Sequence, residues 1–491
     1  MNKLRVLLFF VFLLLVTVPR AVNAQEKWDL RKCVEYAWEH NISVRQADIQ
    51  ARISALALKQ NQLSQLPNTN FTTSTGTNFG RAVDPTTNLF VSSTLLFQQY
   101  NFNVGGLIFN WGSVRNTILA SRYNTEAAEA DVDRWKNDVG LTVATTFLQC
   151  LLAKEQVRIT ATQMDLSRAR LADTRKRVAS GLLPELNALE LEAQLARDSS
   201  AYITAFTNSE LNLLTLKATI NLDAGLVFDI VEPPVAIIPL ESIADLEPEA
   251  VYRSALQTQP QQKVNELRIK ALQAGLKSAK AALYPSLNWF GGLGTNFANP
   301  NTKITGFTFN GYDAPSAFAP VVNIGGVNYP LRNPDITAIQ GKKGFSEMWT
   351  GWGNQMNTNF RQNVGLQLSV PLFNGYAART NYQRIKYDIQ NAELVKEQAN
   401  QRLKNDIYQA YQAAVNALNR FNASKKTMQL SEKAYNLAQK RYDAGLLQPI
   451  ELITSQNNLF QARIQALADQ YDYVFRMKVL EFYKGLGLRL E

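Results

Sequence analysis

The chain writes one passage twice. Lys176, Arg177, Gly181, Leu182 and Leu183 in "KRVASGLL" return as Lys440, Arg441, Gly445, Leu446 and Leu447 in "KRYDAGLL", 264 residues later. The same offset joins "FNWGSVRN" (109–116) to "FNGYAART" (373–380), matching Phe109, Asn110 and Arg115 to Phe373, Asn374 and Arg379. No gap is needed between these anchors. Upstream, Pro67 in "LSQLPNTNF" aligns with Pro285 in "KAALYPSLNW" at an offset of 218, so the second half carries about 46 extra residues between Phe297 and Phe360. An internal duplication of this length constrains the fold more than any single motif, because one supersecondary unit must be built twice and buried against its own copy.

Each half contains a long helical pattern. No proline interrupts 113–179 or 377–444. A run of roughly 65 residues rises about 100 Å as a helix, which suits a coiled coil or a tube. From Ile385 to Phe421, apolar residues recur by threes and fours, with alanines that let helices approach closely. Gly181 and Gly445 end the runs as left-handed caps, and Pro184 and Pro449 follow as helix-starting residues. The next helices are expected to reach about Leu222 and Leu486. Each half is thus a helical hairpin. The proline-rich 225–249 is read as a connector of short strands or loops.

Strand patterns precede each long helix. In "NVGLQLSV", Val364, Leu366, Leu368 and Val370 share one face, against Asn363, Gly365, Gln367 and Ser369. "YNFNVG" (100–105) alternates likewise, and 71–79 and 287–297 are weaker versions. Apolar-out, polar-in alternation is the pattern of outer-membrane strands, and Phe71, Phe79, Trp289 and Phe297 are placed as an aromatic girdle. The 298–360 insertion, rich in Gly, Asn, Pro and aromatics, is expected as a long extracellular loop with short strands of its own. Residues 1–24 read as a signal peptide: basic Lys3 and Arg5, an apolar core, and Val22-Asn23-Ala24 before the cut. Removing them takes away Lys3, Arg5 and Arg20 and lowers the formal net charge of +10 by three. No apolar run long enough to span a bilayer follows residue 24, so a membrane-embedded form would have to be a β-barrel.

Catalysis finds little support. The single histidine, His40, and two cysteines, Cys33 and Cys150, fit no metal or redox spacing, and the cysteines are expected to stay unpaired. There is no phosphate-binding loop, because "GGLG" (291–294) falls inside a strand pattern. The charges alternate along helices as solvated faces, "DTRKR" (173–177) and "EAQLARD" (192–198) among them, which argues against nucleic acid. No cofactor and no metal is expected.

The duplicated strand-pair-plus-helix unit, "VGLQLSVPLFNG" (364–375) leading into a long helix, and the two R-x-x-x-G-L-L turns resemble the TolC family of outer-membrane efflux proteins. The resemblance covers 25–491. It implies a mainly α fold with a transmembrane β-barrel part: four strands per chain in a trimeric twelve-stranded barrel, and antiparallel coiled-coil helices forming a periplasmic tunnel. The organisation would be a first repeat at 25–224, an equatorial connector at 225–249 and a second repeat at 250–491. The implied function is a passive exit duct of a tripartite efflux or type I secretion system in the outer membrane. Its partners would be two further copies of itself, a periplasmic adaptor (membrane fusion protein), an inner-membrane RND, ABC or other pump, and outer-membrane lipid.

The resemblance also assigns sites. Gly181, Leu182, Leu183, Gly445, Leu446 and Leu447 would be the tips that dock on the adaptor. Val364, Leu366, Leu368 and Val370 would face lipid. Glu451, six residues past the second turn glycine, would form an acidic ring at the periplasmic gate. Thr454 departs from the doubly acidic pattern of the family, and Asn187 stands at the position of Glu451 in the first repeat. Tyr442 is a second gate residue. Glu451 also suits the helix start, where a carboxylate meets the dipole. The rival readings are a non-transport coiled-coil scaffold or adhesin of the envelope, which leaves the paired amphipathic strands unexplained, and an envelope enzyme, which lacks a polar constellation.

Overall fold

The computed structural model describes residues 27–83, 88, 90–92, 94–232, 240–314 and 318–485; the signal peptide read at 1–24 lies outside them. The chain forms two compact units, and each draws on both halves of the sequence. One comprises 58–119 and 274–386, the other the remaining described residues. Among the described residues no helix is long and apolar enough to cross a membrane.

The larger unit is helical. Its elements are α1 (Leu30–His40), α4 (Glu185–Ile220), α5 (Pro248–Thr258) and α9 (Pro449–Lys484), with the greater parts of α2 (Ile42–Leu63), α3 (Ser113–Ala179), α6 (Pro260–Ala281) and α8 (Ala377–Asp443). The duplication survives in full: α3 and α8 are each 67 residues long, and α4 and α9 are each 36. Asp29 caps α1 by accepting from the Lys32 N–H at 2.7 Å. The α1 stripe Leu30, Cys33, Val34 and Ala37 then buries against Val143, Phe147 and Leu151 of α3 and Leu216 and Ile220 of α4. Cys33 and Cys150 both lie in this core and are free thiols.

The described part of the connector forms no regular strand but carries one isolated β-bridge. Trp28 donates its N–H to the Asp229 carbonyl at 3.0 Å and accepts from Val231 at 2.9 Å, forming a parallel bridge with the fully buried Ile230. Residues 233–239 lie outside the described set. A short 3-10 turn, Ile243–Leu246, and α5 then seal a second core, where Leu246, Val251 and Ala255 meet Ile407, Ala414, Met477 and Leu480. The two long helices differ in one respect. α3 buries side chains along its length from Thr125 to Thr174, whereas α8 buries only Ile407, Ala414 and Ala417. Tyr387, Leu394, Leu430 and Leu437 of α8 are exposed. In the apolar stripe read from the sequence, Val395 is likewise exposed.

The smaller unit is built on one antiparallel sheet of four strands: β1 (Asn68–Asn78), β4 (Leu95–Phe109), β5 (Ser286–Pro300) and β10 (Arg361–Ser369), in the order β1-β4-β5-β10. Each half supplies two strands, as the duplication requires. The register makes the two faces explicit. Val364 lies opposite Gly291, which lies opposite Val104; Leu366 lies opposite Trp289; Leu368 lies opposite Leu287. On the other face, Asn363, Gly292, Asn103 and Asn70 form one row across all four strands, with Asn103 Nδ2 3.4 Å from Asn70 Oδ1. The row is tight: a Cβ on Gly292 would come within 2.5 Å of Asn363 Oδ1.

Between β1 and β4 lies a small hairpin, β2 (Arg81–Val83) with β3 (Phe90–Ser92). The insertion carries strands of its own. β6 (Thr302–Tyr312) pairs with β9 (Pro334–Lys342), and β7 (Val321–Ile324) with β8 (Val327–Pro330) makes a hairpin between them. Since β5 runs to Pro300, the inserted segment begins after the 298 boundary inferred from the alignment. A 3-10 turn, Glu347–Trp349, and α7 (Trp352–Thr358) return the chain to β10.

That return segment corrects the aromatic girdle. Phe297 is fully buried, clustered with Leu96 and Met348 and stacked on Trp349 at 5.8 Å. It is covered because Asn299 Nδ2 donates to the Met348 carbonyl at 2.9 Å and Thr295 Oγ1 to the Met356 carbonyl at 2.6 Å, fixing the return segment on the strand. Phe71 and Phe79 remain exposed, and Trp289 is half-buried.

Candidate functional site

The two turns are built alike. In the first, Leu182 N–H reaches the Arg177 carbonyl at 2.9 Å and Gly181 N–H the Val178 carbonyl at 2.9 Å. In the second, Leu446 N–H reaches the Arg441 carbonyl at 2.8 Å and Gly445 N–H the Tyr442 carbonyl at 2.9 Å. This double bond to the last carbonyls is the Schellman motif, which needs a left-handed residue after the helix. Gly181 and Gly445 supply it with φ of 73° and 74°. The sequence therefore writes the turn twice because both long helices end in the same closed loop.

Both turns present apolar tips. Leu182 and Leu446 are 75% and 70% exposed in the chain, and Leu183 and Leu447 are half-buried. Just behind them, Leu171, Leu191 and Ile453 close a small core between α3, α4 and α9. The prolines differ by one position. Pro449 starts α9, whereas Pro184 is the N-cap of α4 and lies outside its first turn. Both helices nonetheless begin four residues after their glycine.

Glu451 occupies the first turn of α9, exposed, with its N–H on the Gln448 carbonyl at 3.2 Å. Thr454 Oγ1 bonds back to the Ile450 carbonyl at 2.8 Å. Asn187, the counterpart of Glu451 in the first repeat, and Tyr442 are half-buried.

Behind the tips lies a polar layer that the sequence reading missed. The guanidinium of Arg170 on α3 donates to Tyr435 and Gln439 of α8 and to Gln456 of α9. Ser167 Oγ bonds Asp198 Oδ2 at 2.5 Å, and Gln194 Nε2 bonds Asp198 Oδ1 at 2.9 Å and Asn457 Oδ1 at 3.0 Å. Four helices are thus tied by side chains alone. Gln194 and Asp198 are buried while Glu192, Ala193, Ala196 and Arg197 stay exposed, so only part of 192–198 is the solvated face read from its charges. Their burial against Ser167 and Asn457 is a signal only pairing could reveal, because periodicity scores Gln and Asp as surface.

On the sheet, Val364, Leu366, Leu368 and Val370 are all exposed, Val364 to 85%. Val370 falls one residue past the end of β10. Where the sheet gives way to the long helices, two consecutive residues turn left-handed in each repeat: Trp111 and Gly112 before α3, Gly375 and Tyr376 before α8. Trp111 is held there by a 2.9 Å bond from Nε1 to the Pro285 carbonyl and by Tyr284 and Phe109. Non-glycine residues at positive φ are sparse and over-determined by their surroundings, and neither was expected from the sequence.

Comparison with known proteins agrees with this architecture. Residues 339–483 match the family described as outer membrane efflux protein. Among solved structures, CusC, described in terms of folding and transmembrane channel formation, superposes with a TM-score of 0.69 at 15% identity over 94% of this chain and 95% of that one. The CmeC outer membrane channel of Campylobacter jejuni gives 0.66 at 17% identity, covering 94% and 86%. The open-state MtrE outer membrane channel of Neisseria gonorrhoeae gives 0.64 at 18%, covering 94% and 89%. A search of curated protein sequences finds no match. The chain thus shares the fold of these outer membrane channels over most of its length, and residues 339–483 are similar to the outer membrane efflux protein family.

Proposed function

We propose that three copies of this chain form the outer-membrane exit duct of a tripartite efflux or type I secretion system. The observation that carries the reading is the sheet. Its outer strands, β1 and β10, pair with nothing on their far sides among the described residues, and one of its faces is apolar and exposed. A four-stranded sheet cannot close on itself, and unpaired edges are not tolerated in lipid. Three copies joined edge to edge give twelve strands without an edge. The sparse burial of α8 in the single chain supports the same assembly, since its exposed Tyr387, Leu394, Leu430 and Leu437 then find partners.

In this reading Val364, Leu366, Leu368 and Val370 face lipid, and the Asn70–Asn103–Asn363 row lines the lumen. The exposed Leu182 and Leu446, with Leu183 and Leu447, are the apolar tips offered to a periplasmic adaptor, with Gly181 and Gly445 holding the loops. A pump in the inner membrane supplies the energy. Glu451, with Tyr442 and Asn187 nearby, sets the charge at the periplasmic mouth. The test is gel mobility and planar-bilayer recording of protein extracted from outer membranes. A heat-modifiable trimer with discrete channel conductance is expected; a monomeric, non-conducting protein overturns the proposal.

A further inference from the structure

Starting at Tyr435 and Gln456 of the Arg170 layer and extending away from the turns, α3, α8 and α9 enclose a cleft of about 520 Å³, within the range of small-molecule sites. Its walls combine three kinds of chemistry. Phe421, Met428 and Phe460 give it an apolar surface. Three cations line it: Arg158 pairs with Glu155 and Arg463 with Glu432, but Lys425 lies over the Phe421 ring at 5.8 Å and has no carboxylate partner among the described residues. Gln163 also lines it; the residue is 8% exposed, and its amide nitrogen is buried with no hydrogen-bond acceptor. A buried donor left unpaired costs about 1–3 kcal/mol, and native structures leave few of them.

We propose that this cleft is a binding site for an amphipathic organic anion, an aromatic carboxylate or its like. Its ring system would lie against Phe421 and Phe460, and its carboxylate would be held by the Lys425 ammonium and the Gln163 amide. A neutral amphiphile would leave the lysine uncompensated, and a small inorganic anion would leave the apolar walls bare. Because the walls come from three helices of both hairpins, an occupant favours the arrangement in which they face one another.

The test is calorimetric titration of 1-pyrenebutyrate into the purified, assembled protein in amphipol. One saturable site per chain is expected. Lys425→Glu, at an exposed position, should weaken binding at least tenfold. Gln163→Met, which keeps the volume and removes the donor, should weaken it several-fold. The alcohol 1-pyrenebutanol should bind at least tenfold more weakly than the acid. Both variants are first checked for intact trimer on gels. The proposal is overturned if the assembled protein shows no saturable binding, as when a neighbouring copy fills the cleft. It is equally overturned if the alcohol binds as well as the acid, or if both variants bind like the parent.

Discussion

Replacing Gly445 by alanine isolates the energetics of the tip. At φ of 74° an L-residue suffers the steric penalty of the left-handed region, about 1–2 kcal/mol. A Cβ built there meets nothing within 4 Å, so no clash with the rest of the chain adds to it. Alanine also restricts the unfolded chain, which returns about 0.4–1 kcal/mol. The net cost is about 1 kcal/mol, or roughly fivefold in the local opening of the last helical turns. Hydrogen exchange of the amides around 440–452 in the assembled protein reads that opening directly. Gly445→Ala should exchange about fivefold faster, Gly445→Asn by less, since asparagine tolerates this conformation, and Gly445→Val by more. The same series at Gly181, whose φ of 73° and open surroundings are nearly identical, should give the same ranking. Alanine variants that exchange as slowly as the parent at both positions refute the conformational argument.

Three further outcomes are expected. Glu451→Gln should reduce cation selectivity and block by multivalent cations in single-channel recording; unchanged traces would leave Glu451 as a helix-start residue only. Burial pushes the Cys33 and Cys150 thiols from an ordinary 9.0 up to about 12, so at pH 8 both should resist maleimide until the protein unfolds. Because the folded state holds these protons more tightly, their contribution to stability is complete below about pH 9 and lost as the pH rises toward 12, and rapid labelling of the folded protein at pH 8 contradicts this. Lys478 and Glu481 form a buried pair at 2.8 Å, so Glu481→Gln should cost about 3–5 kcal/mol in thermal denaturation, whereas Lys478→Met with Glu481→Leu should cost less; a single variant as stable as the parent defeats that reasoning.

What the sequence determined by itself was everything that repeats or alternates. The 264-residue offset foretold helices of equal length, because length is a property of uninterrupted pattern. Gly181 and Gly445 foretold the turns, because only the local backbone is involved. The alternation of Val364, Leu366 and Leu368 foretold an exposed apolar face, because period two leaves no other placement. Where partners come from distant segments, the tertiary structure decided. Phe297 reads as a strand-end aromatic, yet a segment some fifty residues later covers it. Gln194 and Asp198 read as solvated, yet Ser167 and Asn457 bury them. Arg170 carries no local mark, and its three acceptors lie more than 260 residues away. Periodicity reports which side of a helix is apolar; it does not report which polar side chains will find one another when two such helices meet. That pairing depends on register between helices, which is fixed only once the chain has packed.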